Sequence, residues 1–178
     1  KIKIKNQKVI DLHGYTLLPG MIDAHIHLMF NEMNIKQSED DAPLALIHAD
    51  AIRFMEDMLL QGFTSIRDAG GAQSDLVAVT ESDLFNCPRL FPSGLALSQT
   101  GGHGDFRSIH HHHFDPCSCS FNSGTKLSIL CDGVSGVRKA ARIQLGRGST
   151  QIKIMASGGF ASPLPKISKT QFSDEEIK

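Results

Sequence analysis

A chain of 178 residues is long enough for one domain with its own core and too short for two comfortable ones. Its 18 Lys and Arg against 19 Asp and Glu give a formal charge of -1, so no whole-chain field gathers nucleic acid or an anionic membrane, and a small-molecule substrate is the expected partner. No apolar run reaches bilayer-spanning length, and the opening KIKIKNQK lacks the apolar stretch of a signal peptide, so a cytoplasmic protein is expected.

The first eighteen residues, with Lys and Ile alternating over Lys1 to Lys5 and VIDL at Val9 to Leu12, read as strand and turn. From Met21 the pattern changes: Ile22, Ala24 and Ile26 alternate with Asp23, His25 and His27, the period of a strand with two different faces. Leu44, Ile47, Ala51, Met55 and Met58 share one helix face over Pro43 to Gln61. Asp41 or Ala42 is the expected cap, Pro43 the first helical residue and Gly62 the stop. Phe63 to Arg67 reads as a second strand, and a weaker helix follows near Asp75 to Leu84. Leu90 to Leu97 is a third strand, weakened by Pro92, which cannot donate to a ladder.

Ser98 to Lys126 is an unusually long loop holding GGHGD, four consecutive histidines and a CxC, and loops of that length are commonly functional. Asp132 opens a helix whose apolar face is Val134, Val137, Ala141 and Leu145, with Gly148 closing it. Gln151 to Met155 is the fourth strand. Strands separated by helical crossovers indicate a parallel sheet of right-handed βαβ units. Ser173 and Glu176 form the S-x-x-E of a capping box two residues before the last, which reads as a helix cut short and the sequence as a fragment.

Strand alternation projects His25 and His27 from one face near the end of their strand, where two imidazoles can reach one metal ion. Spacing alone leaves a pair of histidines satisfied by hydrogen bonds in a turn as an equal reading. Lys153 lies between Ile152 and Ile154 on the fourth strand, so if those two pack against outer helices, Lys153 must point into the barrel such a sheet would close. A bare ammonium is costly to bury, whereas a neutral amine can add carbon dioxide and become a carbamate able to bridge two cations. The alternative is a lysine paired with a buried acid. Cys87, Cys117, Cys119 and Cys131 lack zinc-site spacing and are read as reduced thiols, and His110 to His113 as a solvated loop tip.

LLPGMIDAHIHL at Leu17 to Leu28, TSIRDAGG at Thr64 to Gly71, SGLALSQTGGHGD at Ser93 to Asp105 and QIKIMASGG at Gln151 to Gly159 together resemble the amidohydrolase superfamily. They are most similar to its imidazolonepropionase-related and prolidase-like branch, which includes Xaa-Pro dipeptidases and ochratoxinase-type amidases. The resemblance implies an α/β fold, the N-terminal portion of a (β/α)8 TIM-type barrel, with residues 1–18 a remnant of a small β-sandwich and 19–178 the first half of the barrel. It also implies His25 and His27 as ligands of one of two divalent ions, with zinc favoured over manganese or cobalt, and an N-carboxylated Lys153 bridging to the second. His103 of GHGD is implied as a contact for a substrate carboxylate, with a histidine satisfied inside its loop as the alternative.

The family's further metal-binding histidines and its general-base aspartate fall on later strands, past Lys178. Asp68 and Asp105 are equally explained as loop-capping residues. The expected function is metal-assisted hydrolysis of a C–N bond in a dipeptide or N-acyl amino acid, with a cyclic amide behind it, in a full-length homo-oligomer. The rival readings are a noncatalytic histidine-rich metal-binding module, and a half-barrel that needs a partner to cover its open sheet edges.

Overall fold

Strand β1 (Met21–Ile26) pairs in parallel with β2 (Phe63–Asp68), and β2 in parallel with β3 (Arg89–Phe91), so the first sheet has the order β1-β2-β3. The computed structural model describes residues 9–30, 43–105, 127–160 and 167–178. Helix α1 (Leu44–Leu60) makes the crossover from β1 to β2, and α2 (Ser74–Thr80) the crossover from β2 to β3. Ala51, Met55 and Met58 of α1 are buried against Ile66 and Leu90 of the sheet and Leu76 of α2, as the helical spacing predicts. Gly62, at φ +97°, turns the chain out of α1 through a conformation that strains any residue with a Cβ. Pro43 stands at the N-cap instead of inside the first turn, and Asp41 and Ala42 lie outside the described residues.

Pro92 divides the third predicted strand. β3 stops at Phe91, and β4 (Ala96–Ser98) resumes as part of a second sheet, paired in parallel with β5 (Ser128–Leu130). The Pro92 carbonyl, freed from the ladder, accepts from the Thr150 amide at 2.9 Å. No sequence signal marked β5, three residues at the end of a long irregular segment. On the opposite edge of β4, the Leu97 amide donates to Lys153 O at 2.8 Å and the Leu97 carbonyl accepts from Met155 N at 2.9 Å. The fourth predicted strand, Gln151 to Met155, is thus only an isolated bridge at Ile154, because Leu97 alone supplies its ladder.

Helix α3 (Gly133–Gly146) starts after Asp132, whose carboxylate accepts from the Thr100 amide and hydroxyl and not from the helix, and its buried residues are Val137, Ala140 and Gln144. The predicted face is rotated: Val134 and Leu145 are exposed, and Gln144 takes a buried place because its Oε1 accepts from the Leu95 amide at 3.0 Å. Ile152 and Ile154 pack into the cluster of Leu97, Val137, Ala140 and Phe172, the outward packing the sequence predicts. The capping box forms: Ser173 and Glu176 exchange hydrogen bonds and start α4 (Asp174–Ile177).

The first segment differs from expectation. Val9 to Leu12 forms no strand; Val9, Ile10 and Leu12 are exposed, and the chain turns at His13 and Gly14. A lone extended run finds no ladder partner there, and Lys1 to Lys5 lie outside the described residues. Among the described residues no helix is long and apolar enough to cross a membrane. The result is an α/β structure of two parallel sheets, with the ends of β1 and β2 leading into loops on one side of the first.

Candidate functional site

The carboxyl end of β1 carries the first two candidates. His25 is exposed and His27, one residue past the strand, is half-buried; their rings meet edge to face with centroids 5.3 Å apart. The pairing of β1 with β2 is irregular between Asp23 and Ile26, so this strand end departs from a regular ladder where the histidines leave it. His27 Nδ1 lies 3.1 Å from the Gly70 carbonyl. A carbonyl only accepts, so Nδ1 bears the proton and Nε2 keeps its lone pair, the arrangement by which metal-binding histidines are oriented.

Asp68 fixes that carbonyl. At 0% exposure it accepts from the amides of Leu28 at 2.7 Å, Gly70 at 2.8 Å and Ala72 at 3.1 Å, tying the end of β1 to the turn after β2. Burial pushes its carboxyl above the ordinary range, against the pull of those three amides and of His27. Asp68 is a capping residue, as one reading of the sequence has it, and its cap holds the partner of a candidate ligand.

Lys153 is half-buried on the side of its segment opposite Ile152 and Ile154, which face α3. It is less enclosed than the barrel interior predicted from sequence. Its charge reaches both candidate groups: burial first and Lys153 next hold His25 below its ordinary pKa, followed by His27 and Arg67, with Asp23 opposing. Burial and then Lys153 lower His103 in the same way. His25, His27, His103 and Lys153 therefore share one electrostatic neighbourhood, and it favours the neutral, ligating form of His25.

The GGHGD loop presents His103 on a rigid base. The Gly101 amide donates to Asp105 Oδ2 at 2.8 Å, Gly102 to Gln99 O at 2.9 Å, His103 to Gln171 Oε1 at 3.0 Å, Gly104 to Ser98 Oγ at 3.0 Å and Asp105 to Gly102 O at 3.0 Å. Glycine-rich loops often bind anions through free amides. Here all five amides are already engaged, so a ligand meets the imidazole and not the backbone. The ring lies against Gly159, where a Cβ would sit inside its van der Waals surface. Gln99 lies within the SGLALSQTGGHGD match and Gly159 within QIKIMASGG, but neither was given a role from sequence, and Gln171 lies in no quoted motif.

Among the described residues no three His, Cys, Asp or Glu side chains converge on one point. The donors that do cluster, two imidazoles with one oriented through Nδ1 and an amine in their field, fit a divalent ion by chemistry. Cys87 and Cys131 are free thiols, while His110 to His113, Cys117 and Cys119 lie outside the described residues.

Parallel βα units with two histidines at the carboxyl end of the first strand define a class, the α/β proteins whose polar sites lie at the carboxyl rim of the sheet. Within that class the chain belongs to the amidohydrolase family, whose model matches residues 16–178. It is 32% identical over 173 residues to ochratoxinase of Aspergillus niger, covering 91% of this chain and 35% of the relative. It superposes on a crystal structure of a prolidase complexed with N-methylphosphonate-L-proline with a TM-score of 0.88 and 45% identity, over 99% of this chain and 43% of that one. The A. niger ochratoxinase structure gives a TM-score of 0.74 at 31% identity, over 89% of this chain and 38% of that one. The chain thus spans well under half the length of these relatives.

Proposed function

We propose that this chain is the amino-terminal half of a (β/α)8-barrel, metal-dependent amidohydrolase that hydrolyses the C–N bond of a dipeptide or N-acyl amino acid. The observation that carries the reading is the His25–His27 pair at the end of β1, with Lys153 near enough to bias His25, in a chain of this family. The similarity to a prolidase and to ochratoxinase supports an acyl amino acid over a cyclic amide. His25 and His27 would hold one divalent ion, zinc first by donor type, and a carboxylated Lys153 would share a second. Bound there, such ions supply Lewis acidity and a water of lowered pKa.

The chain's own residues do the rest. Gly70 O holds the His27 ring so that Nε2 faces outward. The Lys153 ammonium first gives a proton to solvent; the neutral amine then attacks carbon dioxide, forming the N–C bond as one C=O π pair moves to oxygen, and loses a second proton, leaving a carbamate anion in place of the ammonium. His103, on its rigid loop, donates a hydrogen bond to the substrate carboxylate and sets which end of the substrate faces the ions. The full-length protein is a homo-oligomer in this reading.

Metal content of the purified full-length protein tests it. Replacing His25 and His27 together by Ala should remove bound metal, whereas replacing His110 to His113 should not; the opposite pattern supports a histidine-rich metal module instead. Carbon-13 spectra under labelled carbon dioxide should show a carbamate signal that is absent in Lys153→Ala, and an identical spectrum in that variant would take Lys153 out of the site.

A further inference from the structure

Gln171 is 1% exposed, and its two amide atoms are treated differently: Oε1 accepts from the His103 amide at 3.0 Å, while Nε2 is buried with no hydrogen-bond partner. His103 Nδ1 is also buried and unpartnered. The two lone atoms belong to residues joined through the His103 backbone amide and Gln171 Oε1. One is an obligate donor; the other is an acceptor in only one of the two neutral tautomers. A hydrogen bond between them would satisfy two buried atoms at once.

The backbone shows how firmly Gln171 is set. Phe172 has φ 62°, the sole non-glycine with positive φ among the described residues, and its amide donates to Gln99 Oε1 at 3.0 Å. Gln99 holds the 171–172 segment while Gln171 holds the loop that follows Gln99, a reciprocal clasp. The same segment donates from Gln171 N to Ala156 O at 2.9 Å and pairs Thr170 with Ser157, joining the loop to the residues that follow Lys153. A bulky residue held in left-handed backbone persists only where its surroundings over-determine it, and such outliers concentrate at functional sites.

We propose that Gln171 is a positioning residue that fixes the ring orientation and the tautomer of His103, engaging Nδ1 as acceptor so that Nε2–H is the donor offered to ligand. The inference rests on the reading of His103 as the carboxylate contact for its consequence in binding, but the tautomer itself is independent of that reading.

Nitrogen-15 spectra of histidine-labelled full-length protein at about pH 8, where imidazole is neutral, report the tautomer directly; the His103 signals are assigned by their loss in His103→Asn. The wild type should show Nε2–H. Gln171→Glu keeps the acceptor for the His103 amide but replaces the only donor with a second acceptor, so the tautomer should switch to Nδ1–H. An Nδ1–H wild type, or an unchanged tautomer in Gln171→Glu, overturns the proposal. With alanylproline as probe, Gln171→Glu should raise KM on the order of tenfold, one hydrogen bond's worth, with kcat little changed. If His103→Ala leaves KM unaltered, the carboxylate role of His103 fails, while the tautomer switch still decides the role of Gln171.

Discussion

Asp68→Ala tests whether the rim is built on a single buried acceptor. Three amides, those of Leu28, Gly70 and Ala72, end on this one carboxylate at 2.7–3.1 Å, in a place with 0% exposure where bulk water cannot replace it. A buried donor left without an acceptor costs roughly 1–3 kcal/mol, so three at the lower end give a loss of about 3 kcal/mol, reduced somewhat because the cost of burying the carboxylate also disappears. Urea unfolding of the full-length protein measures it, as a shift of the midpoint at constant slope. Asp68→Asn keeps one oxygen but turns an NH2 toward the remaining amides, so an intermediate loss is expected. The pH dependence gives a second handle. The folded-state pKa of Asp68 is raised by burial, so its contribution is fully present below the ordinary carboxylate pKa and declines as pH rises through the folded value. Asp68→Asn should lack that decline. A loss under about 0.5 kcal/mol in Asp68→Ala, the scatter of ordinary surface changes, would refute the hub.

Gly159→Ala should displace the His103 ring, because the new methyl would occupy the space of its Cε1 edge; the expected result is a KM raised about 10-fold or more with kcat retained, a charge-assisted hydrogen bond being worth about 1.5–3 kcal/mol. An unchanged KM beside an impaired His103→Ala would mean the ring finds an equivalent place. Burial and Lys153 lower the His25 pKa, so its neutral ligating form extends below the usual histidine range. In the metal-free protein without added carbon dioxide, where Lys153 is an ammonium, the His25 imidazole should therefore stay neutral to a pH below the usual histidine range, as proton spectra would follow; Lys153→Met should move that titration upward, and an unmoved one would show that the ammonium does not reach His25.

Much of the fold was legible because its signals are local. Ala51, Met55 and Met58 of the predicted α1 face bury, while Leu44 in the first turn stays exposed, and Ser173 with Glu176 caps α4 through bonds within four residues. The errors arise where tertiary contacts outweigh pattern. Gln144 rotates α3 because a buried glutamine can satisfy the Leu95 amide, something periodicity of apolar residues cannot register. Pro92 was a visible warning, yet the split it causes places β4 in a different sheet from β3, and β5 depends on partners 32 residues away in Ala96 to Ser98.

The candidate ligands were visible in the sequence and their supports were hidden. The placement of His25 and His27 on one strand face follows from spacing, because two residues apart on a strand is a local relation. Asp68 and Gln171 act at separations of 40 and 68 residues from Leu28 and His103, and a single sequence holds no signal for such pairings. Their roles nonetheless have one logic. Each is a side chain buried in the body of the molecule whose acceptor atoms hold backbone amides of a rim loop, one behind His27 and the other behind His103. In the proposed site the half-buried imidazoles would meet the ligand, and the buried acceptors hold the backbone behind them. Substitution of the buried pair should therefore change orientation, tautomer and KM before it changes the identity of any group that touches ligand.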